Sequence, residues 1–388
     1  MKVMLFVGSG ISFASNLPNL EKITRNLLKA TWHNDKDYKF YPGEVSDSDN
    51  KLWNIAPGLQ EFLNMLKKDC SPRRTKATYE DIFFLCQQIF DDQDGEVDNP
   101  AIYHFMKEIR EKTLDLCSKI PSLAPVNLRF LAMQSLNLIQ WVIYYALQNP
   151  VSLKGLNLIT ELAKSDDIDK LDIATLNHDL LVEQHLKING IKFIDGFDDS
   201  DEKIRYFDVN SYNDNNTKIR MFKLHGSINW FRLRSFKDKR ETERFAAIDD
   251  FDRASTKLDE QSIKLDPSPQ FLTGSYNKLF SYDTGIFAKI HFKFLETLPN
   301  YQRMIMSGYG WNDRGINARL FDWILSSPQN RLILLYEKPK DDLERKSKSD
   351  WWYRYYELEE KGQIIPIEKY MKDITFTEMK KIVPDFFV

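Results

Sequence analysis

The chain has 388 residues, 42% of them hydrophobic and 13% aromatic, enough to bury one large core or two smaller ones. A net charge of -3 and a pI near 6.1 lack the basic excess of a dedicated nucleic-acid binder. Three cysteines, Cys70, Cys86 and Cys117, are too few and too widely spaced for a disulfide framework or a four-cysteine zinc site, which fits a reducing cytoplasm.

The first element is the apolar run Val3–Val7, expected to be a strand buried on both faces of a parallel sheet. It lacks the basic, apolar and cleavage regions of a signal peptide, and the later run Leu136–Leu147 is too short to span a bilayer. The expectation is a soluble, cytoplasmic protein with no membrane contact. Gly8-Ser9-Gly10-Ile11-Ser12 follows the strand, and a helical pattern through Ile23, Leu27 and Leu28 comes after Leu17-Pro18-Asn19-Leu20. Strand, glycine turn and helix can cradle a phosphate, since small residues let amides approach an anion. The third glycine of the dinucleotide fingerprint GxGxxG is missing, so a plain tight turn stays open as the alternative.

From about Leu52 to Leu162 the pattern is helical, with expected helices at Leu59–Lys68, Tyr79–Phe90, Ile102–Ile120, Asn127–Leu147 and Leu153–Ala163. Pro72, Pro100, Pro121, Pro125 and Pro150 punctuate them. Gly43–Asn50 and Asp91–Asn99 read as loops, and Tyr79-Glu80-Asp81 as helix capping rather than catalysis. Trp141, Tyr144 and Tyr145 suit a core or a subunit interface. This block, residues 36–165, reads as an α-helical insertion into a discontinuous domain formed by residues 1–35 and 166–388.

The strand pattern resumes at Leu171–Leu176 and ends in Asn177-His178-Asp179, ahead of a helix through Leu180, Leu181, Glu183 and Leu186 that stops at Asn189-Gly190. Asn177 or Asp179 could simply cap that helix. Lys192–Ile194 and Ile219–Leu224 are further strands. His225-Gly226 leaves the second of them, at the carboxyl edge where open α/β sheets place their chemistry. Imidazole titrates near neutrality, which suits a base, although most strand-end histidines are only hydrogen-bonded. Arg232–Gly285 is long, charged and weakly patterned, with some helical character, as in a flap or interaction arm. Arg303–Met306 is the next strand, leading to Ser307-Gly308-Tyr309-Gly310-Trp311-Asn312-Asp313 and a helix with Ile316, Leu320, Trp323 and Ile324. Arg331–Tyr336 and Ile364–Ile367 complete the sheet.

Four strand exits thus carry Gly8–Ser12, Thr175–Asp179, His225-Gly226 and Ser307–Tyr309, in that order. The order resembles the sirtuin family, with its GAG-I-S loop, T-x-N-x-D segment, catalytic H-G and late ribose-side loop. Residues 175–183 (TLNHDLLVE), 225–230 (HGSINW) and 308–317 (GYGWNDRGIN) look more closely like the sirtuin-like NADase domains of bacterial anti-phage defence systems. The resemblance covers residues 1–30 and 170–340 and implies an α/β Rossmann-like parallel sheet of the sirtuin NAD-binding type, here with a large α-helical insertion. It departs from deacylases in two places. No cysteine lies between Trp230 and Met304, so the paired CxxC zinc module is missing, and Ser15–Asn19 stands where G-x-P-D-F-R is usual.

The resemblance implies that NAD is the substrate; no metal is expected, since Cys70, Cys86 and Cys117 are not spaced for a zinc cluster and no acidic cluster reads as a magnesium site. Asn177 would hold ribose hydroxyls or the attacking water. Asp179 would meet the nicotinamide carboxamide or orient the loop. His225 would accept a proton from water or a ribose hydroxyl. Gly8, Ser9 and Gly10 would cradle the pyrophosphate, with Ser12, Thr175 and Gly226 in the same cofactor-binding set. Ser307, Gly308 and Asp313 would line the adenosine side. His178, on the opposite side of an extended segment, is set apart from catalysis. The expected activity is hydrolysis of NAD to ADP-ribose and nicotinamide. The alternatives are a deacylase, an ADP-ribosyltransferase, or a silent sensor of NAD or ADP-ribose. A homo-oligomer gated by a partner such as a HerA-type ATPase completes the expectation, since the chain has no Walker loop of its own.

Overall fold

The computed structural model describes residues 1–34, 38–43, 54–70, 77–96, 100–124, 126–150, 152–198, 204–237, 240–249, 263–265, 268–274, 278–341 and 351–387. The expected loop at 44–50, together with Pro72 and Pro125, lies outside the described residues. The chain divides into two compact units: Met1–Leu17, Pro150–Lys264 and Leu279–Val388 form one, Pro18–Asn149 and Leu265–Lys278 the other. These boundaries fall before the expected 35/36 and 165/166. The helix Leu20–Lys29 packs on the helices of the second unit, whereas Asn157–Lys164 packs into the core of the first.

The first unit is built on seven parallel strands: β1 (Lys2–Val7), β4 (Lys170–Thr175), β5 (Phe193–Ile194), β7 (Ile219–Lys223), β11 (Arg303–Ser307), β12 (Arg331–Leu335) and β13 (Ile364–Ile367). Their order is β13-β12-β11-β1-β4-β7-β5. This is the α/β, Rossmann-like sheet that the resemblance implied. Val3, Leu5 and Val7 point to one face, where Ile173, Met221, Ile305 and Ile333 join them. There they meet α6 (Asn157–Lys164), α7 (Leu181–Ile188) and α11 (Phe376–Ile382). Met4, Phe6, Phe222, Met304 and Met306 are buried on the other face. With both faces covered, each strand must be apolar at every position, which is why β1 reads as a continuous run. Asp172 and Arg220 are one exception. They are register neighbours on β4 and β7 and form a two-pronged buried ion pair at 2.9 and 2.6 Å.

Chain order reverses at β1: β4, β7 and β5 lie on one side, β11, β12 and β13 on the other. The last rung of the sheet runs Leu335–Ser307–Val7–Thr175–Lys223. Every strand exit singled out from the sequence therefore leaves from that one row, at the crevice such sheets use for ligands.

A second, four-stranded sheet has the order β10 (Ile263–Leu265), β8 (Trp230–Lys237), β9 (Arg240–Ile248), β6 (Ile204–Tyr206), with β8 and β6 both antiparallel to β9. In 232–285, read as a weakly patterned arm with some helical character, Lys278–Ser281 are helical but the strands β8, β9 and β10 were missed; residues 250–262 lie outside the described residues. Phe231 and Leu233 are buried while Arg232 and Arg234 are partly exposed, so a period of two was present beneath the charges. Helices α8 (Gly285–Thr297), α9 (Arg314–Ser326) and α10 (Trp351–Glu360) complete this unit.

The second unit contains α1 (Leu20–Lys29), a β2–β3 ribbon (Trp32–Asn34, Phe40–Pro42), α2 (Ala56–Asp69), α3 (Tyr79–Asp94), α4 (Tyr103–Lys119) and α5 (Leu128–Leu147). Asn19 and Asn127 cap α1 and α5 through the amides of Lys22 and Phe130. Thr78 and Asp81 form a capping box on α3, the role read for Tyr79–Asp81. Asp91–Asp94, expected as loop, continue α3 until Gly95 turns left-handed. At 20 residues α5 is long and apolar enough to cross a membrane by length and composition, unlike the shorter run seen in the sequence. It packs against α1, α2 and α3 and is more than half buried, as in the core helix of a helical unit.

Candidate active site

The exits of β1 and β11 meet first. The Gly8 amide donates to the Ser307 carbonyl at 3.0 Å and the Gly10 amide to the Gly308 carbonyl at 2.9 Å. A Cβ on Gly8 would lie 2.6 Å from the Gly308 oxygen, and one on Gly10 2.7 Å from the Gly308 Cα. Gly308 sits at φ +69°, with its own missing Cβ 2.6 Å from the Ile11 nitrogen. The three glycines are thus required by backbone lying on backbone. The amides of Gly8 and Gly10 are already engaged across this seam, and Ser9 is the exposed residue of the loop. Ser307 turns its hydroxyl onto the Leu335 carbonyl at 3.1 Å. The residues Ser9–Ser15 continue as a 3-10 turn rather than entering an α-helix directly.

On the other side of β1, Ser12 joins the exit of β4. Its hydroxyl donates to Asp179 Oδ2 at 2.9 Å and accepts from Asn177 Nδ2 at 3.1 Å, all three residues being buried. Asp179 Oδ1 takes the Leu181 amide at 3.1 Å, so both its oxygens work inside the loop. Of its two expected roles this geometry serves orientation, and it also supplies the helix-start contact weighed from the sequence. Asn177 differs. Its Oδ1 is buried with no partner, an acceptor left over after the loop's own bonds are made. Thr175 ties the loop down, accepting the Asn177 amide on Oγ1 and the Leu224 amide on its carbonyl.

Beneath the loop, Lys223 donates to the Asp179 carbonyl at 2.5 Å and to Glu183 Oε1 at 2.6 Å, clamping β7 to α7. Burial pushes the Glu183 carboxyl above its usual range against the pull of Lys223. Gly226, at φ +76°, makes the turn after the histidine.

His225 is buried, and its Nε2 faces two oxygens: Tyr282 Oη at 3.0 Å and Asp313 Oδ2 at 3.1 Å. Tyr282 itself donates to Asp313 Oδ2. Asp313, expected on the adenosine side, is thus brought to the histidine, while its Oδ1 caps α9 through the Ile316 amide at 3.0 Å. Behind Tyr282 stand His291, with ring centroids 4.1 Å apart, and the Arg319 guanidinium, 4.8 Å over the phenol ring. Arg319 donates to His291 Nδ1, and His291 Nε2 donates to the Leu224 carbonyl at 2.8 Å. Burial and the Arg319 charge push the His291 imidazole down to about 3, whereas burial and Asp313 raise the Tyr282 phenol. Tyr282, His291 and Arg319 were missed in the sequence, where no motif or spacing marks them.

His178 corrects another expectation. Its ring lies 6.3 Å from that of His225, and its carbonyl accepts the Ile228 amide at 3.0 Å. The alternation that pointed it away stops with β4 at Thr175, three residues before it.

Residues 172–360 match the SIR2-like domain. The match begins inside β4 and takes in the exits of β4, β7 and β11, with His225, Tyr282 and Asp313. A SIR2-like domain implies NAD-related function. The Gly8–Ser12 loop and the Pro18–Asn149 part of the helical unit lie outside the matched residues and rest on the geometry above. No curated protein matches the chain.

Proposed function

We propose that this protein is an NAD glycohydrolase, converting NAD and water to ADP-ribose and nicotinamide. The observation that carries the reading is the pairing, at the exits of adjacent strands β4 and β7, of a buried amide oxygen lacking a partner, Asn177 Oδ1, with the buried imidazole of His225. A ribose hydroxyl or a water supplies the donor that Asn177 lacks. His225 takes a proton from that hydroxyl or water. Nicotinamide departs from NAD by neutralising its own ring charge, so no acid is needed on the leaving group, and the second carboxylate of ordinary glycosidases is dispensable.

The test is release of nicotinamide from NAD by the purified full chain, alone and co-expressed with its genomic neighbours. Asn177→Ala and His225→Ala abolish release while circular dichroism stays native. Near-normal turnover in either variant, or NAD left intact under every condition, overturns the reading. The activity is proposed to be metal-independent, so chelation leaves turnover unchanged. Destruction of NAD on phage infection, in the cytoplasm, is the proposed purpose, with restraint by homo-oligomer assembly and a partner such as a HerA-type ATPase.

A further inference from the structure

Among the described side chains around the site, Tyr282 and Asp313 have positions that bear on the histidine's protons. The phenol of Tyr282 has one hydrogen, and it is directed to Asp313 Oδ2. The same oxygen of Tyr282, 3.0 Å from His225 Nε2, can then only accept from that nitrogen. Asp313 Oδ2, 3.1 Å from Nε2, is an acceptor as well. Two acceptors facing one ring nitrogen require a hydrogen on it. We infer that Tyr282 and Asp313 are positioning residues that hold His225 as its Nε2–H tautomer, making Nδ1 the atom that receives the proton during NAD cleavage.

This rests on the reading of His225 as the base and names the atom that acts. In the step itself a proton passes from the attacking water or ribose hydroxyl to Nδ1. The Nε2 proton stays between the ring and Asp313, so the imidazolium that forms is faced by a carboxylate. The carboxylate is itself fixed, because its other oxygen holds the first turn of α9, where a negative charge is favoured. The phenol is fixed by His291 on its ring and Arg319 over it. His291 is oriented by the same logic: Arg319 can only donate to Nδ1, so Nε2 carries the hydrogen that the Leu224 carbonyl accepts. Among the described residues, the titratable and charged groups placed at His225 include Asp313, Tyr282 and His178, with His291 and Arg319 behind the phenol.

The experiment uses the full chain labelled with ¹⁵N-histidine. Long-range ¹H–¹⁵N spectra report the tautomer of each of the six histidines, and the His225→Gln spectrum identifies the signals of His225. The expected result is a protonated Nε2 and an unprotonated Nδ1. A protonated Nδ1 in the wild-type protein overturns the inference whether or not NAD is cleaved, so its failure is separate from that of the glycohydrolase reading. In activity assays Asp313→Asn lowers kcat by about 10²–10⁴-fold with KM little changed. It also moves the acid limb of the kcat/KM profile to lower pH, since the imidazolium has lost its carboxylate. Tyr282→Phe keeps the ring packing and lowers kcat by roughly tenfold. Asparagine caps helices nearly as well as aspartate, so α9 is preserved. Unchanged kcat and pH profile in Asp313→Asn, with only thermal stability altered, would reduce Asp313 to a helix cap and overturn the proposal.

Discussion

Ser12 serves two loops with one hydroxyl, accepting from Asn177 and donating to Asp179. Ser12→Ala leaves a buried carboxylate oxygen and a buried amide nitrogen unpaired, and is expected to cost about 1–3 kcal/mol of stability by urea denaturation. NAD cleavage falls too, since Asn177 is no longer held. His291 gives a pH dependence. Its imidazole sits at about 3 in the fold against an ordinary 6.5, so between those values the unfolded chain binds a proton the native chain refuses. Stability is unaffected by this group above pH 6.5 and falls as pH drops below it, by up to about 1.4 kcal/mol per unit. His291→Gln keeps a donor for Leu224 and flattens that slope in acid-unfolding curves. That Asn177, Asp179 and His225 leave the sheet at strand exits was legible, because each comes within four residues of its strand's end. Tyr282 and His291 were not, since they reach the histidine loop from 57 and 67 residues away.

Among elements, the junction of β7 and α7 depends on Lys223 and Glu183, an ion pair with almost no exposure. Lys223→Ala strands the carboxylate and frees the Asp179 carbonyl, an expected loss of about 3–5 kcal/mol. The pair Lys223→Met with Glu183→Leu recovers most of it, measured by the same denaturation. Recovery no greater than the single variant would mean that the lysine acts through the Asp179 carbonyl alone. The parallel strands could be read because burial on both faces makes them uniformly apolar. The β8–β9 hairpin could not, because its exposed face carries Arg232, Arg234 and Glu243, which drown the alternation of Phe231 and Leu233. The end of α3 was missed for a related reason: acidic Asp91–Asp94 read as loop, yet polar residues suit a helix's solvent side and Gly95 sets the stop.

For the whole molecule, the strand order was out of reach of the sequence. Nothing in residues 303–307 says that they pair with β1 rather than with β7, because the register is set by long-range packing. The exchange of α1 for α6 between units has the same origin: both helices have an apolar stripe, and only the fold decides which core receives it. The helical unit contains no residue proposed for NAD chemistry, and its long amphipathic helices suit subunit contact. Light scattering on the isolated chain is expected to give a homo-oligomer, and co-expression with a partner to change its NADase rate. A strictly monomeric chain, fully active and indifferent to its neighbours, would contradict that.

The seam of Gly8, Gly10 and Gly308 has a consequence for any saturation mutagenesis of this protein. Under selection for folding alone, these three positions should already tolerate nothing but glycine, because each missing Cβ is occupied by the opposite backbone. Asn177 should vary more freely in that screen and become fixed only when survival depends on turnover, since its carbonyl oxygen serves no bond inside the fold. The difference between the two screens sorts carpentry from chemistry. In it, Gly8, Gly10 and Gly308 fall on the side of carpentry.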